Sequence, residues 1–581
     1  MLNSHLRFGG LSATAKPLRV GIFVLLATAI AFAPVFVYGF PADSWDIRFH
    51  SLWTRNFSDQ LWAGEFYPRW LSQINDGLGS PYFFYYSPLA YYLASLFQGF
   101  RTPTGIAQIS LASITLLFLS GLACYRWLLG ISGRTGALVG TCFYVMAPSH
   151  VFVDAYVRGD YSEFASYVWL PVILHGVELV RSRRANGFAQ ITLSYAGLVL
   201  TNVVIGLVFS GVPFLYALGR FQERRSRAFF VPLANVAGLA LASVYLLPAL
   251  TTQSDVRMPL WPRVTLIFDV STPKLVLFID LLFVAYAIAL AGAGIVLWHL
   301  KSRKLGSFES TLLLICAATM IFMTGLARPI WDLFPMLRAI QFAWRFNSVI
   351  DIGLAGLTAA VTAELSRRFG ERRLLTAAVG AFSAMAVAAD VCAVRFGVFD
   401  FDPMLWSKRV AYSPDYGLFR PLTARNPLPA DTLPLWSGGA GLDAEVVPIA
   451  KVVSADGAAR VQVTRWRPRD IAFSIDAAMP GTVVVAQLYY PGWHAVSATT
   501  GRALPTRPSD DRGLVAIDYG AGTDEVTLRL VPRPVERLGW LSTGVTTVVL
   551  VLVVIVLHRD RADMRESPAP WRGQCTVEKP R

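Results

Sequence analysis

Two carboxylates, two basic groups and two aromatic rings fall within eight residues in the segment Asp43-Ser44-Trp45-Asp46-Ile47-Arg48-Phe49-His50. A carboxylate fixed in such a setting can take the proton of a hydroxyl whose own pKa is too high for spontaneous ionisation, which is the work of a general base. Asp46 is the first candidate for that role and Asp43 the second, with Arg48 and His50 beside them as substrate-binding candidates. The plain alternative is a pair of solvated carboxylates at a helix end. The surroundings argue for chemistry, because the segment opens a polar, aromatic loop, 40–86, that is too long for a mere connection. Long ordered loops usually carry function.

Two further groups could hold a polar or anionic substrate. Asp154 precedes Arg158-Gly159-Asp160-Tyr161-Ser162-Glu163, which enters an apolar run. Arg158 with Asp160 and Glu163 at a helix N-terminus offers a forked cation and a helix dipole to a phosphate or to sugar hydroxyls. Asp160 or Ser162 could equally be a helix cap. Farther on, Arg328, Arg338, Gln341 and Arg345 lie among Trp331, Phe334 and Trp344. Arg338 and Arg345 there would suit a phosphate carried on a long apolar chain; the alternative is arginines reaching up to anionic headgroups. Among ionisable residues inside apolar runs (His175, Glu178, Asp280 and Asp351), only Asp351 sits deep, and a buried polar pairing with Asn347 or another helix accounts for it.

The elements that must position these residues are membrane helices. The chain has 581 residues, 54% hydrophobic and 15% charged, against roughly 25% charged in soluble domains. Its net charge of +14 resides mostly in short loops between apolar runs, a sign of membrane topology rather than of nucleic-acid binding. Runs able to cross a ~30 Å core lie at 20–39, 106–129, 135–149, 164–180, 188–201, 203–219, 229–250, 275–298, 311–327, 346–363, 374–394 and 538–557. The basic connections alternate with this count, from Arg126/Arg134 through Arg181/Arg183/Arg184 to the tail Arg559/Arg561/Arg565, and put the N-terminus in the cytosol. The first run reads as an uncleaved anchor. The aromatic run Tyr82 to Phe100 is left out of the count and reads as an amphipathic helix lying on the outer leaflet.

Between the last two runs, period-two stretches such as 461–463, 471–475, 483–488 and 526–530, with turns at Pro480-Gly481 and Pro491-Gly492, predict short strands. The expected fold is therefore a polytopic α-helical membrane protein of about 12 transmembrane helices with a small extracytoplasmic β-sandwich before the last helix. Its parts are a membrane domain at 1–395, the β-rich domain at 396–536, a C-terminal helix at 537–558 and a basic cytosolic tail at 559–581. Four cysteines lie in apolar runs and Cys575 stands alone in the tail, so neither a disulfide framework nor a thiolate metal site is expected. No phosphate-binding loop, nucleophile elbow, zinc-protease motif or dinucleotide fingerprint occurs, which speaks against ATP hydrolysis and oxidoreduction.

Four features together resemble one family: an Asp just past the first helix; a first loop running through Gly64-Glu65-Phe66-Tyr67-Pro68-Arg69-Trp70, Gly77-Leu78-Gly79-Ser80-Pro81 and Phe84-Tyr85-Tyr86-Ser87-Pro88-Leu89; Gln341-Phe342-Ala343-Trp344-Arg345-Phe346 before a late helix; and Tyr489-Tyr490-Pro491-Gly492-Trp493. The chain resembles membrane glycosyltransferases of the GT-C superfamily, in the bacterial branch with a YfhO-like layout. The resemblance implies transfer of a sugar from a polyprenyl-phosphate donor to an envelope glycan, lipid or protein acceptor on the extracytoplasmic face of a bacterial inner membrane. It also implies that the acid of the first loop acts as general base or helps hold a divalent metal, Mg or Mn. The matching position is Asp46, with Asp43 as a second acid; two residues separate them, which departs from the D-x-D or E-x-D spacing of many members. Tyr490 and Trp493 are either a glycan platform or part of the sandwich core. The rival functions are a transporter or flippase of a lipid-linked glycan precursor, favoured by half-repeats that this sequence lacks, and a non-catalytic scaffold for which Asp46 would be dispensable.

Overall fold

The computed structural model describes residues 11–566 apart from 42–43, 76, 101, 103–104, 185, 223–224, 259–262, 269–274, 396–420, 425–450, 456 and 511. Among the described residues, six helices are long and apolar enough to cross a bilayer: Ile106–Arg158, Tyr161–Arg181, Val203–Arg220, Phe278–Leu300, Ala343–Phe369 and Pro534–Val556. A seventh span arises if Arg225–Leu241 and Ser243–Thr251, bent by 77° at their junction, cross together. Pro17–Ala31 and Ser307–Phe322 are apolar but shorter.

The first of the six is two passes. Its 53 residues would extend on the order of 80 Å at ~1.5 Å per residue, far beyond a ~30 Å core. Gly133 leaves the helical conformation at φ 70°, ψ −177°, and a Cβ on Gly121 would lie 2.8 Å from Val145. The chain therefore doubles back beside Arg134, where the sequence separates the runs 106–129 and 135–149.

The twelve-helix expectation is met only in part. Run 20–39 breaks at Phe32 into Leu11–Ala31 and Ala33–Tyr38, because Pro34 lacks an N–H and its ring collides with the carbonyl four residues back. Runs 188–201 and 374–394 form helices Asn186–Thr201 and Glu371–Arg395, outside the set of clear spans.

The aromatic run is also corrected. Tyr82 to Phe100 forms three short pieces, Tyr82–Tyr85, Leu89–Ser95 and Gln98–Phe100, not one helix on a leaflet. Pro88 interrupts it, since the residue before a proline avoids helical geometry. Tyr82, Phe83, Tyr85 and Tyr91 are buried, and tyrosine rings can be so where their hydroxyls find partners inside: Tyr85 donates to the Thr252 carbonyl at 2.8 Å, and Tyr91 OH lies 2.6 Å from His50 Nδ1.

The C-terminal domain is a two-sheet sandwich, antiparallel throughout. One sheet orders Val452–Ser454, Gly481–Leu488, Leu514–Tyr519 and Thr506–Pro508; the other orders Ala459–Arg467, Asp470–Ala477, Gly522–Leu530, Trp493–Ser497 and Ala503–Leu504. Alternate residues Phe473, Ile475, Val483, Val485, Val526 and Leu528 are buried in one core between the sheets, as the period-two runs require.

The first loop is clamped to this domain. Trp70 Nε1 donates to Gln487 Oε1 at 2.8 Å, Gln487 Nε2 donates to the Gly77 carbonyl at 2.8 Å, and the Leu488 amide donates to the Leu78 carbonyl at 2.7 Å. Gly79, at φ +79°, has no room for a side chain, because a Cβ would lie 2.5 Å from Trp70 Nε1. Tyr490 and Trp493 are buried at this junction, Tyr490 OH 3.0 Å from Tyr85 OH and Trp493 edge-on to Trp70; they are packing, not an exposed glycan platform. Replacing Gln487 by Leu leaves the Trp70 N–H and the Gly77 carbonyl without their partner. We expect a loss of about 1–3 kcal/mol, read as faster amide exchange in 70–80 and at Leu488 while exchange in the distant sheet strands is unchanged.

Candidate active site

Asp46 stands at the N-terminus of helix Ile47–Trp62 and is tied through its backbone to the end of a wide π-helix, Ser149–Arg158. The Trp45 amide donates to the Val157 carbonyl at 3.1 Å, the Asp46 amide to the Arg158 carbonyl at 2.7 Å, and Ser44 Oγ to the Tyr156 carbonyl at 2.5 Å. Gly159 allows this approach. It adopts φ +64°, and a Cβ there would lie 2.5 Å from Ile47 Cβ and 2.9 Å from the Ile47 nitrogen. Gly159→Ala should therefore cost more than the ~1–2 kcal/mol of a left-handed alanine. The cost would appear as a lower melting temperature in detergent.

Behind this junction lies a buried ion cluster. Arg158, 1% exposed, faces Glu163 at 2.5 Å, Asp160 at 3.0 Å and Asp154 at 3.3 Å. Arg345 lies 3.1 Å from Glu163 and 3.8 Å from Asp160. Asp160 is also the cap of helix Tyr161–Ser166, its Oδ1 accepting from the Glu163 amide and from Ser162 Oγ, each at 3.0 Å. The helix-cap reading therefore holds for Asp160, and the Arg158 fork expected to meet a phosphate or sugar hydroxyls is engaged by three carboxylates of its own chain.

Arg345 reaches the cluster through an unusual backbone. Gln341 lies at φ +64°, and Thr265 pins the next residues, its amide donating to the Gln341 carbonyl at 2.8 Å and its carbonyl accepting from the Ala343 amide at 2.9 Å. The Phe342 ring centre then sits 5.9 Å from the guanidinium carbon of both Arg158 and Arg345, a shared cation–π contact.

Asp46 differs from its neighbours. It is half-buried and gives no capping hydrogen bond to its own helix. Among the described residues it is the carboxylate of the cluster without an ion pair, since Asp154, Asp160 and Glu163 all face guanidinium groups. Burial, then the charge of Asp160, push its pKa up to about 6, against the pull of Arg158 and Arg345. At pH 7 most of it is ionised, and its proton affinity is near that of an efficient general base.

His50 supports the cluster from behind. It is 2% exposed, with Nδ1 2.6 Å from Tyr91 OH and Nε2 3.5 Å from Asp160 Oδ1. Burial brings its pKa down to about 4, outweighing Asp160, so the ring is neutral at pH 7. Tyr91 then donates to Nδ1 and the Nε2 hydrogen faces Asp160.

The structure thus brings together Asp46, His50, Arg158, Asp160, Glu163 and Arg345. Arg48 is half-buried, with its guanidinium 4.8 Å from the Phe49 ring centre, and enters none of these ion pairs. Arg338 is exposed on the turn Pro335–Ile340 and stands apart from the cluster. Asp43 lies outside the described residues. Sequence reasoning left out Asp154 as a site residue, although its i, i+4 spacing to Arg158 was a signal. Of the two partners expected for Asp351, Asn347 or another helix, the second holds: Asp351 accepts from Ser149 Oγ at 2.6 Å, Tyr286 OH at 2.5 Å and Tyr167 OH at 3.3 Å.

Among the described residues, no group of three His, Cys, Asp or Glu side chains is arranged to hold a metal ion. The metal role implied for Asp46 and Asp43 therefore finds no further ligand among them.

Parts of the chain are similar to solved glycosyltransferase structures. With arabinofuranosyltransferase AftD from mycobacteria the TM-score is 0.41 at 15% identity, covering 64% of this chain and 26% of that one. With the Archaeoglobus fulgidus oligosaccharyltransferase it is 0.39 at 12% identity in the apo form, covering 68% and 56%, and 0.37 at 13% identity with a tethered acceptor peptide, covering 65% and 54%. The chain accordingly spans less than two thirds of the length of each of these proteins. No curated protein matches the sequence. A family profile matches residues 83–396, from the aromatic pieces of the first loop through the π-helix and the Arg345 segment to the end of helix Glu371–Arg395. The chain belongs to the family of membrane proteins described as 6-pyruvoyl-tetrahydropterin synthase related domain.

Proposed function

We propose that the protein is an integral membrane glycosyltransferase of GT-C type that moves a sugar from a polyprenyl-phosphate donor to an envelope glycan, lipid or protein acceptor on the extracytoplasmic face of a bacterial inner membrane. One observation carries the reading: Asp46 is a half-buried carboxylate, unpaired among the described residues, with raised proton affinity at the edge of a cluster whose other acids are bound to arginines. An acceptor hydroxyl gives its proton to Asp46 as its oxygen bonds to the anomeric carbon, and the bond to phosphate breaks, releasing polyprenyl phosphate. The buried arginines fix the geometry, and their positive charge favours the ionised form of Asp46 against the pull of burial.

An apolar groove of about 600 Å³ between helices Leu275–Leu300 and Ser307–Phe322, lined by Phe283, Leu290, Ile295, Leu313, Met320 and Ile321, suits an isoprenoid chain. Exposed Arg338 is the proposed cation for the donor phosphate. Magnesium or manganese bound at Asp46 would need further ligands from the substrate or from residues outside those described.

The transporter reading has one observation in its favour, the 77° bend between Arg225–Leu241 and Ser243–Thr251. The break has a structural explanation, however: the Val244 amide donates to Thr543 Oγ1 at 3.0 Å and its carbonyl accepts from buried Arg69 at 2.7 Å. Its free backbone groups need no substrate. The deciding experiment offers purified protein in nanodiscs a set of polyprenyl-phosphate sugars with a membrane extract, and follows free carrier lipid and glycosylated product by mass spectrometry. A new glycosidic bond with release of carrier supports the enzyme. Movement of unmodified lipid-linked sugar across the bilayer supports the transporter.

A further inference from the structure

The five-stranded sheet buries one face in the sandwich core and turns the other outward, and the strand register sorts the outward charges into rows. In the row nearest the last membrane helix, Arg467 lies opposite Asp470, Asp470 opposite Arg529, and Arg529 opposite His494. Arg465 follows one row farther along and reaches back to Asp470 at 3.0 Å, while Arg529 meets the same carboxylate at 3.1 Å. Three arginines thus surround one acid at this end, two of them in contact with it. At the far end of the same face the balance reverses, with Arg460 opposite Asp476 and Glu525 opposite Ser474.

The basic end is the membrane end. Strand Gly522–Leu530 leads through three residues into helix Pro534–Glu566, whose apolar window begins at Pro534. Arg529 is therefore within roughly 18 Å of chain from the start of the span. Trp540 and Leu541, exposed on the first turns of that helix, mark the interfacial depth. Arg529 is 60% and Arg465 37% exposed at the side chain, so both forks are open to a ligand although each also touches Asp470.

We propose that this face binds anionic phospholipid headgroups of the leaflet from which the C-terminal helix emerges, and so seats the β-sandwich on the membrane. The charge gradient along the sheet carries the inference: the positive end meets the phosphates and the acidic end points away. Guanidinium forks suit phosphate oxygens, and each arginine near an anionic surface contributes about fivefold in partition. The inference requires no sugar transfer and stands apart from the proposed function.

The test compares full-length wild type with the triple variant R465Q/R467Q/R529Q in nanodiscs of phosphatidylcholine alone or with phosphatidylglycerol added. Hydrogen–deuterium exchange is measured over 463–472 and 525–530. For wild type, phosphatidylglycerol should slow exchange in these segments several-fold, and high salt, which shortens the range of charge interactions, should reverse the effect. The triple variant should show no lipid-dependent slowing, while its core strand Gly481–Leu488 remains as protected as in wild type, which shows that it is folded. Equal exchange in both lipids, or slowing that survives the triple substitution, would overturn the proposal. So would slowing in phosphatidylcholine discs on addition of polygalacturonate but none with phosphatidylglycerol, since that would assign the face to an acidic glycan.

Discussion

Asp46→Asn should reduce turnover by roughly 10²–10⁴-fold, the range by which a positioned base contributes, and leave the protein folded. Asparagine keeps the size and the backbone hydrogen bond from residue 46 to the Arg158 carbonyl, and Asp46 makes no ion pair that the change would break among the described residues. Removing a carboxylate whose burial raises its pKa to about 6 also removes an unfavourable charge. Its sign is fixed: the folded state holds the Asp46 proton more tightly than the unfolded chain, so ionised Asp46 opposes folding above pH 6. The melting temperature of the asparagine variant should therefore equal or slightly exceed that of wild type at pH 7.5. Loss of turnover with loss of fold would instead make Asp46 structural, and unchanged turnover would move the base elsewhere, with Asp43 the nearest alternative.

Arg158→Leu should produce the opposite signature, a collapse of stability. Arg158 is 1% exposed and faces Asp154, Asp160 and Glu163; removing one partner of a buried ion pair typically costs about 3–5 kcal/mol, because the remaining charges are left buried. Arg345 still reaches Glu163 and Asp160, so Asp154 is the acid that loses its guanidinium. The double variant R158L/D154N should recover part of the loss, whereas R158L/D46N should recover less, because Asp46 is half-open to water. Arg158→Lys should fall between, since one ammonium cannot address three carboxylates as a fork does. Melting of the four proteins in detergent, followed by intrinsic fluorescence, checks the order.

Much of this site was legible in the sequence for a physical reason. Charged residues are costly in hydrocarbon, so those at the ends of apolar runs are forced to one membrane face, and the alternation of basic loops indicates which ends share it. Asp46, Arg158, Asp160, Glu163 and Arg345 could be proposed together on that ground although nearly three hundred residues separate the first from the last. Arg338 obeys the same rule yet stands apart, because sharing a face does not set lateral position.

What burial decides was not legible. Tyr82, Tyr85 and Tyr91 have the composition of an interfacial helix, but Pro88 breaks the helix and internal partners for the hydroxyls let the rings go inside. Asp351 was expected to pair with Asn347 or another helix, but which residues of which helix, Ser149, Tyr167 and Tyr286, was not legible. No local pattern announces a contact between segments so far apart in the chain. Tyr490 and Trp493 look like a binding platform until the first loop is found lying over them. The strands were easier, because alternation in 471–475 and 526–530 is a property of each strand by itself.

The most direct test of Asp46 as the base is the pH dependence of single-turnover sugar transfer by the full-length protein in nanodiscs, between pH 4.5 and 8. With the base ionised above its pKa and neutral below, the rate should be near its plateau at pH 7.5, half of it near pH 6, and fall about tenfold for each further unit of acid. Asp46→Asn should retain only a small rate without that limb. A wild-type rate that stays flat from pH 5 to 8, or the same acid limb persisting in Asp46→Asn, would contradict the assignment.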